Sequence, residues 1–333
     1  MEIRFAASVI EQLDFALDHI LLEDPNYKRL SLMLIDNAFE LALHRHALDR
    51  KRDLQWKWNE PDPEIALVEA AIGQRFDAKV KLAKHTGWLT EETARTVNIL
   101  HGYRNQVYHS GLMHEGILHV LAVFYLRTVS DLMATMPFTG YSYGNKLKLP
   151  HRAAKYIGLP PFKDVHALVG GAWARLREIS GGLPFELAAQ LQSDLQTRVS
   201  EVDRLLDYLA KAECPRKPEK ARGDVVLECQ AWQIAFTEEG KEFLRSNPSP
   251  KQTVGGVVDH IAASYPFAVR SDPVSSWTKR AQSVGAEKSP HKCLEKYQQL
   301  LAQIEPVQEA VDSSAAALDQ EIERQIEAAR ERS

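Results

Sequence analysis

Ile99-Leu100-His101-Gly102-Tyr103-Arg104-Asn105-Gln106-Val107-Tyr108-His109-Ser110-Gly111 is a short polar window between two apolar helical patterns. It brings an arginine, a neighbouring carboxamide and a histidine together. Arginine is a permanent cation whose fork of donors fits phosphate. Histidine takes or gives a proton near neutral pH. Residues five apart on an α-helix are separated by about 140° around its axis, so Arg104 and His109 do not share a face of an unbroken helix. Either the helix bends near Ser110-Gly111, or the two residues meet across a symmetric interface, where an isologous dimer brings the same segment from both copies together.

The flanks of this window set the fold class. Upstream, residues 5–23 place Val9, Ile10, Leu13, Leu17, Ile20 and Leu21 at helical spacing, ended by Pro25-Asn26. A second helix is expected from about Tyr27 towards Trp58, with its stripe at Leu30, Met33, Leu34, Ala38, Leu41 and Leu48. Glu60-Pro61-Asp62-Pro63 breaks it and begins a third, carrying Ile65, Val68, Ala71, Ile72 and Phe76. Thr86–Thr90 is a turn, and Thr90-Glu91-Glu92 caps the helix that leads into the window. Downstream, Gly111 to Met136 holds Ile117, Leu118, Leu121, Phe124, Tyr125, Val129 and Leu132. Five helices with short connections predict a compact bundle. No alternating strand pattern stands out, so the chain is expected to be all-α.

Arg104-Asn105-(three residues)-His109, in this helical setting, resembles the signature of the HEPN family of ribonucleases. The resemblance extends over Leu34–Glu40, Phe76–Val80 and Leu100-His101, and covers roughly residues 1–136. It implies a helical bundle that pairs as a homodimer to form a metal-independent endoribonuclease site, with no cofactor. Arg104 would stabilise the scissile phosphate and His109 would act as acid–base. Asn105 would shape the cleft or bind phosphate. The ribose 2′-OH is the nucleophile, so the protein need only deprotonate it, neutralise the phosphorane and protonate the leaving oxygen. The resemblance also implies a toxin or antiphage-defence effector that cuts RNA, tRNA or mRNA among the candidates, under an antitoxin or trigger protein. Some family members carry a modifiable tyrosine two places after the histidine. Here that place is Gly111, and Tyr108 precedes the histidine.

Asp36 and Glu40 lie one turn apart on the second helix and are candidates to orient Arg104 or His109. His101, one turn before Asn105, lines the same cleft or packs in the core. His44, Arg45, His46, Arg50, Lys51 and Arg52 form a basic stretch followed by Trp56 and Trp58. Cations with nearby aromatics hold phosphates and stack unpaired bases, which makes Arg45, Arg50, Lys51 and Arg52 candidate RNA contacts. A solvated helix face is the plainer reading of such a run. For the window itself, the plainer reading pairs Arg104 with a carboxylate and uses His109 near a helix C-terminus. The chain would then be a non-catalytic helical dimerisation, ligand-binding or nucleic-acid-binding regulatory protein.

The whole chain has 333 residues and a formal net charge of −4, which suits two domains and argues against a basic coat for nucleic acid. Cys214, Cys229 and Cys293 are widely spaced and make no metal pattern. The charged start, Met1-Glu2-Ile3-Arg4, and the lack of an apolar run of membrane-spanning length set the expectation of a cytoplasmic protein with no membrane partner.

Residues 137–163, rich in Gly, Pro and Tyr, read as a linker with Lys146, Lys148, Arg152 and Lys155 close by. Residues 164–333 read as an elongated helical region that regulates or binds a partner. There Leu187, Leu191, Leu195, Val199, Val202, Leu205, Leu206 and Leu209 form one stripe, and 290–332 another long helix. Residues 224–245 read as one helix, although Val225-Val226-Leu227 has strand character. No phosphate-binding Gly loop, H-E-x-x-H or G-x-S-x-G occurs in this half.

Overall fold

A computed structural model describes residues 3–55, 63–110, 115–137, 148–159, 164–212 and 218–331, with backbone alone for Pro63, His109 and Ser110. Trp56, Trp58, the Glu60–Asp62 break, Gly111, much of the expected linker and Cys214 lie outside the described residues. The fold is all-α, with fourteen helices and no strand among the described residues. Contacts divide the chain into two units: Met1–Gln190 with Lys288–Glu295, and Leu191–Glu287 with Lys296–Ser333.

In the first unit, α1 (Ile3–Ile20) lays Ile3, Ala6, Ile10, Leu13 and Leu17 against α2 (Pro25–Leu54). Asp24 begins α2 by accepting the Asn26 N–H at 2.7 Å, and Pro25 occupies the first turn, where its missing N–H costs nothing. α2 buries Leu32, Ile35, Ala38, Phe39, Ala42 and Leu43. The expected third helix is in fact two, α3 (Pro63–Ile72) and α4 (Phe76–His85), because Gly73-Gln74-Arg75 interrupts it. Residues 1–136 therefore hold six helices instead of five. Gly87, at φ 79°, turns the chain after α4 in the left-handed region where a side chain is strained. Thr90 Oγ1 then accepts the Thr93 N–H at 3.1 Å to start α5 (Glu91–Ser110).

The sixth helix, α6 (Glu115–Ala134), runs through the core with Leu118, Leu121, Tyr125 and Val129 buried. It is long and apolar enough to cross a membrane by composition, contrary to the sequence expectation that no such run exists. Most of its apolar window, 78%, is buried inside the protein, as in a core helix. The expected linker also departs from expectation. α7 (His151–Ile157) packs on α1, and α8 (Val165–Gly182) packs on α6, so both belong with the first unit. Arg152 holds α7 in place by pairing with Asp14 at 2.7 Å and Asp18 at 2.6 Å on α1.

The second unit takes most of α9 (Leu187–Ala210), then α10 (Arg222–Ala235), α11 (Glu238–Ser246), α12 (Val254–Ser264), α13 (Val274–Gly285) and most of α14 (Pro290–Arg330). Val225-Val226-Leu227 is helical, within α10. Thr237 ends the expected single helix by capping α11 through the Gly240 N–H. Pro306 sits inside α14 without ending it.

Candidate functional site

Asp36 lies on the buried face of α2 and is fully enclosed. Enclosing a carboxylate is costly unless donors or cations surround it, and two helices, α5 and α6, supply them. From α6, the Tyr125 hydroxyl donates to Asp36 Oδ1 at 2.8 Å. From α5, His101 Nδ1 lies 3.0 Å and 3.1 Å from the two carboxylate oxygens. Arg104 Nε, also on α5, is 3.3 Å from Oδ2 as an ion pair. Burial and the Asp36 charge push the Tyr125 phenol well above its usual pKa, so it remains a donor.

This arrangement follows from helical spacing. His101 and Arg104 are three residues apart, so they project from one face of α5 towards one point on α2. The His101 ring stacks on Phe76 with centroids 3.9 Å apart and planes within 3°. The cleft and core readings of His101 thus meet in one side chain, packed yet 20% exposed. Arg104 is 29% exposed, and its Nη1 donates to Asn105 Oδ1 at 2.8 Å. The exposed Tyr108 ring lies 5.7 Å from the Arg104 guanidinium carbon, and the Tyr108 carbonyl accepts from Arg29 Nη2 at 3.4 Å. His109 occupies the last turn of α5, which runs unbroken from Glu91 to Ser110. The bend that would have turned Arg104 and His109 to one face is therefore not made within α5.

The structure brings Asp36, His101, Arg104, Asn105 and Tyr108 together, but not Glu40. Glu40 pairs at 3.0 Å with Lys79 of α4, a buried ammonium that needs a counter-charge. The basic stretch is also largely engaged. Arg45 pairs with Asp49 at 3.1 Å, and Arg52 reaches the same carboxylate at 3.5 Å. Arg50 makes a two-pronged bond to Glu64 at 2.8 Å and 2.7 Å, and pairs with Asp53 at 3.6 Å. Among the described residues, Lys51 alone of the four makes no ion pair and stays exposed. His46 is buried with Nε2 2.9 Å from Thr86 Oγ1, away from solvent.

Sequence reading misses Tyr125 as a partner of Asp36, because its position in an apolar stripe reads as packing. The available signal is the carboxylate of Asp36 set between Ile35 and Ala38 on the apolar face of α2. The second unit contains a cavity of about 510 Å³ with Leu209, Val225, Cys229, Trp232, Ser314 and Leu318 in its wall. No group of three or more metal-ligating side chains occurs among the described residues.

No protein-family model matches the chain, and neither a curated protein nor a solved structure matches it.

Proposed function

We propose that this chain is a metal-independent endoribonuclease of HEPN type, working as a homodimer in the cytoplasm and cutting RNA in toxin or antiphage-defence activity. The observation that carries this reading is Arg104 itself. Its guanidinium is aimed by Asp36 and Asn105 while remaining part-exposed, five residues before His109 on the same helix. A cation fixed in place by its neighbours stabilises a phosphorane without reorganising at the moment of reaction. Arg104 serves that role, His109 transfers protons, and Asn105 holds the guanidinium. Because α5 is unbroken, the roughly 140° between Arg104 and His109 is spanned by a second copy across a two-fold axis. The exposed Tyr108 lies beside that cleft.

The Asp36–Arg104 pair also favours a second reading, in which the motif only joins α2 to α5 and the protein binds a partner or ligand without catalysis. RNA binding through the basic part of α2 gains little support, since Arg45, Arg50 and Arg52 are paired with carboxylates.

The deciding experiment incubates the full-length wild type and His109→Ala with total RNA and with tRNA in EDTA. Product ends are mapped and dimerisation is followed by light scattering. Cleavage to 2′,3′-cyclic phosphate ends by the wild type alone, with both proteins dimeric, is the expected outcome. An inert wild-type dimer gives the binding reading instead.

A further inference from the structure

We propose that His101, oriented by Asp36, is the general base that removes the proton from the ribose 2′-OH. The assignment rests on the ribonuclease reading above and adds a residue outside the Arg104–His109 motif.

Three observations support it. First, His101 shares a face with Arg104. A separation of three residues is about 60° around the helix axis, against about 140° for Arg104 and His109. Both side chains reach the same carboxylate, at 3.0 Å and 3.3 Å. A phosphate held by Arg104 therefore lies on the side of α5 from which His101 projects.

Second, the hydrogen bonds fix the tautomer. The Asp36 carboxylate, beside a guanidinium and receiving the Tyr125 hydroxyl, acts as an acceptor. His101 Nδ1 must then carry the hydrogen that fills the 3.0 Å contact. In a neutral ring this leaves the lone pair on Nε2, for which the described residues show no hydrogen-bond partner. A carboxylate behind Nδ1 also stabilises the imidazolium formed when Nε2 takes a proton, and holds the ring in one orientation.

Third, the ring is held without being sealed. Phe76 stacks against one face, yet 20% of the side chain remains exposed. A histidine that only filled the core would have no need of an open edge. The charged and titratable groups that pair with it or share its carboxylate are Asp36 from α2, Arg104 from α5 and Tyr125 from α6.

The step balances without another reactant. His101 Nε2 takes the 2′-OH proton, and O2′ bonds to phosphorus as the P–O5′ bond breaks. The departing O5′ takes a proton from His109, and Arg104 compensates the charge on the phosphorane. The products are a 2′,3′-cyclic phosphate and a 5′-hydroxyl. The two histidines return to their starting states by exchanging protons with water.

The test compares full-length wild type, His101→Asn and His109→Ala in EDTA. Asparagine places an amide N–H where Nδ1 sits, so His101→Asn keeps the bond to Asp36 while removing the base and the ring that stacks on Phe76. The expected result is a His101→Asn dimer that binds a 2′-O-methyl RNA as the wild type does. It should cleave unmodified RNA at least about 100-fold more slowly, the usual scale for losing a general base, and lose the acidic limb of the pH–rate profile. Diethyl pyrocarbonate, which acylates an unprotonated accessible ring nitrogen, should modify His101 in the native wild type, with protection by the 2′-O-methyl RNA. Cleavage by His101→Asn within threefold of wild type, with His109→Ala inactive, overturns the assignment and leaves the ribonuclease reading standing. An inert wild type overturns both. If His101→Asn does not fold, the diethyl pyrocarbonate reaction decides, and an unmodified His101 in the native chain overturns the assignment.

Discussion

Tyr125 of α6 and Asp36 of α2 are joined by a 2.8 Å hydrogen bond in which neither side chain is open to water. This bond joins the buried faces of α2 and α6 at the carboxylate that also holds His101 and Arg104 of α5. The two partners are not equally expendable. Replacing Tyr125 by Phe removes one donor and leaves Asp36 with the His101 hydrogen bond and the Arg104 ion pair. The expected loss is about 1–2 kcal/mol. Replacing Asp36 by Ala strands a buried phenol, an imidazole N–H and a guanidinium at once, and should cost about 3–5 kcal/mol. Urea unfolding of both variants checks the ranking, and a Tyr125→Phe loss as large as that of Asp36→Ala would contradict it.

The buried His46 gives the first unit a sensitivity to acid. Burial, reinforced by the nearby Arg50 charge, lowers its pKa from 6.5 to about 4. Above pH 6.5 the ring is neutral in folded and unfolded chains alike and adds no pH slope. Between pH 6.5 and 4 the unfolded chain binds a proton that the folded chain does not, so stability falls as the pH falls. At 1.36 kcal/mol per unit, the loss across that window is about 3 kcal/mol. His46→Gln keeps a donor for Thr86 and removes the titration. Unfolding free energies at pH 7.5 and 4.5 should therefore differ less in the variant, by roughly 3 kcal/mol. Equal acid losses in the two proteins would show that His46 is not the source.

Much of this architecture is legible in the sequence, because amphipathic spacing reports which face of a helix is buried. The stripes of α1 and α6 are visible in Val9, Ile10 and Leu13, and in Leu118, Leu121 and Tyr125. The stripe expected on α2 is displaced. Of Leu30, Met33, Leu34, Ala38, Leu41 and Leu48 only Ala38 is buried, and Leu41 and Leu48 are exposed. The face turned inward carries Leu32, Ile35, Phe39, Ala42 and Leu43, because a helix apolar on several sides offers more than one stripe. Boundaries are harder to read where one apolar pattern continues across a break. Phe76 extends the period of α3 yet begins α4, since Gly73-Gln74-Arg75 intervenes. The placing of α7 depends on ion pairs between Arg152 and α1, which no local pattern reveals. At the site, the spacing of His101, Arg104 and Asn105 fixes which side chains share a face. The preference of Glu40 for Lys79 is a tertiary choice, set by the need to compensate a buried ammonium. Charge runs mislead for a related reason, as Arg50 finds Glu64 fourteen residues away.

Two glycines of the second unit should respond in opposite ways to alanine. A Cβ on Gly240 would run into the backbone carbonyl of Ile234. That carbonyl is fixed, because it accepts the Thr237 N–H at 2.9 Å and the Thr237 hydroxyl at 2.8 Å. Gly240→Ala must push α11 away from the end of α10, with an expected cost of about 1–3 kcal/mol. A Cβ on Gly285 would instead meet the side-chain amide of Gln192, a flexible end that can swing aside. Replacing a helical glycine by alanine also favours the folded chain by roughly 0.5–1 kcal/mol. Gly285→Ala should therefore be neutral or slightly stabilising. Thermal unfolding of the two variants beside wild type tests the contrast, and a greater loss for Gly285→Ala than for Gly240→Ala would refute the packing argument.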